Sequence, residues 1–255
     1  MSLRLKLPEA RWTASLSDHW RRALEILRWR GPLRFLVLVA REILKPILYW
    51  HVYYIIENDL SRQLPVLYAK RPYEVGIYRG EKDLAAIEPQ LSAMGELTPE
   101  EVSWRAKHGD LVGVAYAGSE AVGYSWMSCS SGLPLAFDVT WIVSPNEAVL
   151  YGSFVRSEWR GQGVHSSLDV ALNGYAREQG ILRTIGSMAV YNGQTLALAK
   201  RTGKQRVMIV ALARVCAINR TWAKAFGAPL NSYFRLQRQS GSARVDAPKP
   251  RRVMP

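Results

Sequence analysis

The chain is expected to be an α/β protein, with a central mixed, mostly antiparallel sheet flanked by helices and an amphipathic helical extension at its N-terminus. Three observations predict this. Apolar and aromatic residues dominate positions 148–155 without a proline, which is a strand pattern. Leu168, Leu172, Tyr175 and Ala176 then recur at helical spacing, so a helix with one apolar face runs over about 164–179. Residues 111–116 and 121–127 alternate like the two arms of a hairpin around Gly118-Ser119-Glu120.

The other elements follow in chain order. Residues 73–78 read as a first strand, and 82–91 and 99–107 as short helices. Thr98 is placed to cap the second helix, with Glu101 three residues on. Residues 140–143 suggest a further strand. Gly180 stops the long helix, a second strand follows over 181–190, and Asn192 opens a short helix that ends before Gly203. Residues 207–215 form a long strand and 233–236 a last one. The tail from Gln239, basic and poor in apolar residues, is expected to be disordered.

Length and composition fit a folded protein. At 255 residues and 48% hydrophobic, the chain can bury a sizeable core, organised as an extension (1–70), a main domain (71–237) and a tail (238–255). Charge is informative by location. Residues 1–50 carry ten Lys/Arg against four Asp/Glu and residues 235–255 carry six against one, so most of the +13 net charge sits at the two ends.

The extension has two segments separated by Gly31-Pro32. In the first, Trp20, Leu24 and Leu27 share a helical face. The second, residues 33–56, is rich in aliphatic and aromatic residues, but Arg34, Arg41, Glu42, Lys45 and Pro46 interrupt it, which argues against a transmembrane span. Arg34, Arg41 and Lys45 fall opposite Leu36, Val39 and Ile43. That arrangement suits an interfacial helix on an anionic membrane, and equally an amphipathic helix packed on its own domain or a partner. No signal-peptide pattern is present, and Cys129 and Cys216 lack metal-ligand spacing and read as core thiols. A cytoplasmic location is expected, with peripheral attachment to the inner membrane face as an option for the extension. His19, His51 and His108 are isolated, so no metal site is inferred.

The most informative stretch joins the strand at 148–155 to the helix at 164–179. Between them lies Arg160-Gly161-Gln162-Gly163-Val164-His165. Glycine lets backbone approach a ligand, and the first turn of a helix offers unpaired N–H groups and the positive end of the dipole. Together these suit a pyrophosphate; a tight turn that binds nothing is the plainer alternative.

The order strand, R-x-x-G-x-G/A turn, helix, strand, Asn, helix, Gly resembles the GNAT superfamily of acyl-CoA-dependent N-acetyltransferases. The specific part covers about 55 residues from Ala148 to Gly203, and a looser resemblance runs from Tyr73 to Leu236. The resemblance implies acetyl-CoA or another acyl-CoA as co-substrate and a primary amine as acceptor, with no metal. It implies that Arg160, Gly161, Gln162, Gly163, Val164, His165 and Ser166 hold the pyrophosphate. It also implies that Phe154 and Val155 bond the pantetheine arm and that Asn192 lies beside that arm. Three positions depart from the pattern: His165 where Gly or Ala is preferred, Ala199 where many members have a thiolate-protonating tyrosine, and Lys204 where Phe is usual.

Acyl transfer to an amine needs a neutral amine, a stabilised oxyanion and a leaving thiolate. Glu147 and Asp138 are candidates for the first task through water, against their reading as surface carboxylates. A backbone amide near Val155 is the candidate for the second. Tyr191 is the candidate for the third, against its reading as a packed aromatic. His165 suits a phosphate contact better than acid-base work. A non-catalytic acyl-CoA-binding or membrane-associated scaffold of the same fold is the alternative function. Dinucleotide binding is disfavoured because the third glycine of G-x-G-x-x-G is missing. Nucleic-acid binding would rest only on the basic ends.

Overall fold

The computed structural model describes residues 48–62, 73–95, 97–215 and 220–236, together with 32, 36, 40 and 44. Two compact units divide the chain. The larger comprises His51–Leu212 and Thr221–Pro255, and the smaller Met1–Trp50 and Ala213–Arg220. In the smaller unit Pro32, Leu36, Ala40 and Leu44 are helical and exposed. The remainder of the expected amphipathic extension up to residue 47, Cys216 and the tail from 237 lie outside the described residues. No described helix is long and apolar enough to cross a membrane.

The strands are β1 (Leu48–Asp59), β2 (Glu74–Arg79), β3 (Leu111–Ala117), β4 (Glu120–Ser128), β5 (Pro134–Ala136), β6 (Val139–Trp141), β7 (Glu147–Val155), β8 (Arg183–Ala189), β9 (Gln205–Val215), β10 (Arg220–Phe226) and β11 (Phe234–Leu236). The helices are α1 (Gly80–Ala93), α2 (Pro99–His108), α3 (Val164–Glu178) and α4 (Gly193–Arg201). Eight strands form one sheet in the order β10-β9-β1-β8-β7-β4-β3-β2, and β11-β6-β5 form a second. Pairs β1–β8, β2–β3, β3–β4 and β4–β7 are antiparallel, whereas β7–β8 is parallel. The architecture is therefore the expected mixed, mostly antiparallel sheet flanked by helices.

One boundary requires correction. The helical reading of residues 33–56, and the extension drawn to residue 70, included what is strand β1, which pairs with β8 from Tyr53↔Ala189 to Asp59↔Arg183. A strand covered on both faces reads as a near-continuous apolar run, without the alternation that marks a half-exposed strand, and no residue of β1 is exposed. Here Tyr53-Tyr54-Ile55-Ile56 also has the aromatic and β-branched content that favours a pleated surface, and Ile55 and Ile56 are buried. Strands β5 and β10 were likewise not expected from the sequence.

Helices cover both faces of the main sheet. On β3, Gly113 faces Leu168 and Leu172 of α3, and a Cβ there would lie 3.2 Å from Leu172. Its neighbours Val112 and Val114 point the other way, into a cluster with Leu84 and Leu91 of α1, Val102 of α2, and Trp126. Helix α2 starts as expected: the Thr98 side chain accepts from the Glu101 amide, Glu101 accepts from the Thr98 amide, and Pro99 occupies the first turn. Gly109 closes the helix with φ 84°. Thr98→Ala should lower stability by about 1 kcal/mol, read as a fall in the urea midpoint at constant m-value; an unchanged midpoint would show that the capping box contributes nothing.

Candidate functional site

The site begins where two parallel neighbours separate. β7 and β8 are in register from Glu147↔Arg183 to Leu150↔Gly186. Beyond that point β7 continues along β4 to Val155 and β8 continues along β1 to Ala189, so the strands part. The gap opens into a cleft of about 230 Å3 lined in part by Leu150, Tyr151, Gly152, Ser153, Gly186, Ser187 and Asn192.

A bulge accompanies the separation. Between Trp126↔Tyr151 and Tyr124↔Phe154, the two β7 residues Gly152 and Ser153 face the single residue Ser125. Gly152 has φ 57°, a conformation that side chains disfavour. The Ser153 and Ser125 hydroxyls are 2.7 Å apart. A bulge bends its strand and leaves the extra residue outside the ladder, which puts backbone polar groups at the cleft wall.

Past Val155 the chain makes a short 3-10 turn and enters α3 through two left-handed glycines, Gly161 at φ 74° and Gly163 at φ 96°. Gly163 is the N-cap of α3, and the Ser167 amide donates to its carbonyl at 3.0 Å. The amides of Val164, His165 and Ser166 therefore begin the helix without intrahelical partners. Arg160 Nε donates to the Val155 carbonyl at 3.1 Å, Gln162 Nε2 donates to the Glu158 carbonyl at 2.9 Å, and the Tyr73 hydroxyl donates to the Gln162 carbonyl at 3.2 Å. These bonds tie the turn to the end of β7. Val164 and Ser166 are buried, and Phe154 stacks on Tyr124 at 5.7 Å between centroids.

The observed order of strand, two-glycine turn, helix, strand and Asn-capped helix is the order on which the resemblance rests.

No family model matches the sequence, and no curated protein matches it. Among solved structures, the chain is similar to a protein described as a GNAT-family acetyltransferase from Novosphingobium aromaticivorans, with 16% identity over 64% of this chain and 63% of the other, at a TM-score of 0.43. It is similar to an aminoglycoside acetyltransferase from an uncultured soil metagenomic sample, solved with sisomicin, with 19% identity over 51% of this chain and 86% of the other, at a TM-score of 0.40. It is also similar to a GCN5-related N-acetyltransferase from Kribbella flavida, with 10% identity over 68% and 62% of the two chains, at a TM-score of 0.45. The likeness thus spans less than two thirds of the first and third of these chains.

In this frame the sequence-derived residues separate into two groups. Phe154, Val155 and the run from Arg160 to Ser166 lie together at the end of β7 and the start of α3, and Asn192 lines the cleft. The Asn192 side chain also caps α4, accepting from the Thr195 amide at 3.2 Å. Tyr191 directly precedes it. Glu147 stands at the opposite end of β7. It is buried, its carboxylate accepts from the Ser144 amide at 3.0 Å, and it is ion-paired with Arg183. Asp138 accepts from the Thr221 hydroxyl at 2.9 Å and is also away from the cleft lining.

His165 belongs to a charged group in the cleft. Its Nδ1 lies 3.4 Å from Asp169 Oδ2, and Lys204 Nζ donates to the same oxygen at 2.5 Å. Burial alone would raise the Asp169 carboxyl, but the His165 and Lys204 charges and hydrogen bonds outweigh it and hold the group well below the usual carboxylate range. Lys204, which departs from the family pattern, thereby acquires a structural partner.

Sequence reasoning missed a second cluster against Tyr151. Asp110 is fully buried, its Oδ2 accepts from the Tyr151 hydroxyl, and its Oδ1 lies 2.8 Å from His108 Nδ1. Trp104 stacks on His108 at 5.2 Å, and the Arg105 guanidinium lies 4.7 Å from the Trp126 ring and 5.1 Å from the Tyr151 ring. The hydrogen bond to Asp110 holds His108 above the ordinary imidazole value, while burial pushes the Tyr151 phenol well up. No sequence motif signals this set, because Tyr151 reaches the other members only through the pairing of β3, β4 and β7.

Proposed function

We propose that the chain is an acyl-CoA-dependent N-acyltransferase that moves an acetyl or related acyl group from coenzyme A to a primary amine by direct transfer. The observation that carries this reading is the parting of β7 and β8 beside a glycine bulge, with a two-glycine helix start at the end of the same strand. A pantetheine-sized arm fits a gap whose walls are strand backbone, and its pyrophosphate would be met by the α3 amides from Val164 to Ser166, with Arg160, Gly161, Gln162 and Gly163 forming the approach. Phe154 and Val155 flank the arm on one side and Asn192 on the other.

In this mechanism the free amine attacks the thioester carbonyl, and the oxyanion is stabilised by amides at the Gly152 bulge. Collapse of the tetrahedral intermediate expels the thiolate. Tyr191 is the phenol that the sequence offers for returning a proton to sulfur. Glu147 receives no part, since its carboxylate is committed to Arg183 at the far end of the strand.

A second reading, an acyl-CoA-binding protein without turnover, draws on Ala199. At the position of the family tyrosine this residue is buried against Ile56, Met188 and Leu196 and offers no hydroxyl. Calorimetry with coenzyme A and acetyl-CoA, followed by thiol release with a panel of primary amines, separates the two readings. Arg160→Glu should weaken coenzyme A binding about 10-fold or more by placing an anion beside the pyrophosphate, equivalent to roughly 1.4 kcal/mol. Gly163→Trp should abolish it by filling the approach. Unchanged affinity in both folded variants would remove the phosphate-grip assignment, and tight binding without thiol release from any amine would favour the second reading.

A further inference from the structure

A transferase with alanine at position 199 must move its proton by another route. Among the described residues that line the cleft, Tyr151 is the one with a phenol, and a buried carboxylate is bonded to it. Tyr151 lines the cleft one residue before the bulge, and its hydroxyl donates to Asp110. Asp110 is held on its other oxygen by His108 Nδ1 at 2.8 Å, and its backbone amide donates to the Arg105 carbonyl at 3.0 Å. The carboxylate thus has a fixed orientation, with one oxygen devoted to Tyr151. Arg105 lies 5.1 Å from the Tyr151 ring, so negative charge passing through the phenol oxygen meets a nearby cation. Among the described residues Cys129, which follows β4 and is exposed where the sequence suggested a core thiol, also feels Asp110, with Arg79 acting on it in turn.

We propose that Tyr151 and Asp110 form the proton shuttle of the transfer, with His108 as the positioning residue that holds the carboxylate. As the N–C bond forms, the amine gives one N–H proton to the Tyr151 oxygen, and Tyr151 gives its own proton to Asp110 Oδ2. As the C–S bond breaks, the flow reverses: Asp110 returns the proton to Tyr151, and Tyr151 gives its proton to the departing sulfur. No proton is gained or lost overall, and the sulfur leaves as a thiol. This inference rests on the acyl-CoA reading and assigns to Tyr151 the step that the sequence had offered to Tyr191.

The test uses the full-length protein with coenzyme A and with acetyl-CoA. In the binary complex with coenzyme A, the ultraviolet absorbance of the thiolate is titrated for the wild type, Tyr151→Phe and Tyr191→Phe. A phenol aimed at sulfur stabilises the thiolate, so Tyr151→Phe should move the thiol titration to higher pH. In turnover with an accepted amine, Tyr151→Phe and Asp110→Asn should each lower kcat by about 100-fold to 10,000-fold with little change in KM for acetyl-CoA. His108→Gln should lower kcat by a smaller factor. An unmoved thiol titration in Tyr151→Phe, or loss carried by Tyr191→Phe in its place, overturns the shuttle while leaving coenzyme A binding intact. Absence of coenzyme A binding by the wild type overturns the underlying acyltransferase reading along with it. Thermal melting of each variant shows whether a lost rate is merely lost fold.

Discussion

Replacing Gly152 by valine is expected to reduce acyl transfer by at least about 100-fold, the loss typical of removing one oxyanion donor. Two effects combine. Gly152 has φ 57°, where a β-branched residue is strongly disfavoured. A Cβ at this position would also lie 2.9 Å from Arg105 Nη1 and 3.4 Å from Trp126 Cδ1. Straightening the bulge would relieve both, but it would turn the backbone away from the cleft and shift Tyr151 relative to Asp110. Retaining the bulge would cost roughly 2–5 kcal/mol in strain and overpacking. Steady-state thiol release and a melting curve on the same protein decide the matter. A Gly152→Val variant that melts like the wild type and turns over at the wild-type rate would show that the bulge has no part in catalysis.

Lys204→Met is expected to produce the largest stability loss, about 3–5 kcal/mol, because it leaves a buried carboxylate without its nearest cation. Asp169 is buried, and Lys204, itself only 5% exposed in its side chain, donates to it at 2.5 Å. His165 Nδ1, at 3.4 Å, would be the remaining nitrogen beside it. The double variant Asp169→Asn, Lys204→Met should recover part of the loss, since neither residue then carries an unmatched charge. The pH dependence has a definite sign. Asp169 has a depressed carboxyl in the folded protein relative to its usual 3.8, so its contribution to stability is fully present above that value. It is lost as pH falls toward the folded-state value. Urea unfolding of wild type and Asp169→Asn at neutral pH and in acid should therefore show a difference that shrinks on acidification; a constant difference would mean that the carboxylate charge is not what the pair contributes.

Much of the cleft was legible in the sequence because its signals are local. The strand at 147–155, the two glycines at 161 and 163, the helix start at Val164 and the Asn192 cap all lie within short windows whose spacing reports backbone geometry directly. The Thr98–Glu101 capping box is of the same kind. β1 was not legible, because a strand covered on both faces lacks clear alternation and its aromatic and aliphatic run continues an amphipathic segment.

The roles of single polar side chains belonged to the tertiary structure. Glu147 read as a surface carboxylate or a base acting through water, yet parallel pairing with β8 sets it against Arg183 and buries it. Lys204 read only as a departure from a pattern, yet the fold gives it Asp169. His108 read as isolated, although Asp110, two residues on, holds it. The sequence by itself determined the mixed α/β class, the turn that opens α3 and the candidate phosphate grip, since each follows from residues within about one turn or one strand of each other. Only the tertiary structure decided where β7 and β8 part, that Gly152 is the bulge residue, and that Tyr151, Asp110 and His108 meet. Those facts depend on strand register and on contacts between residues up to 41 positions apart, which local pattern does not encode.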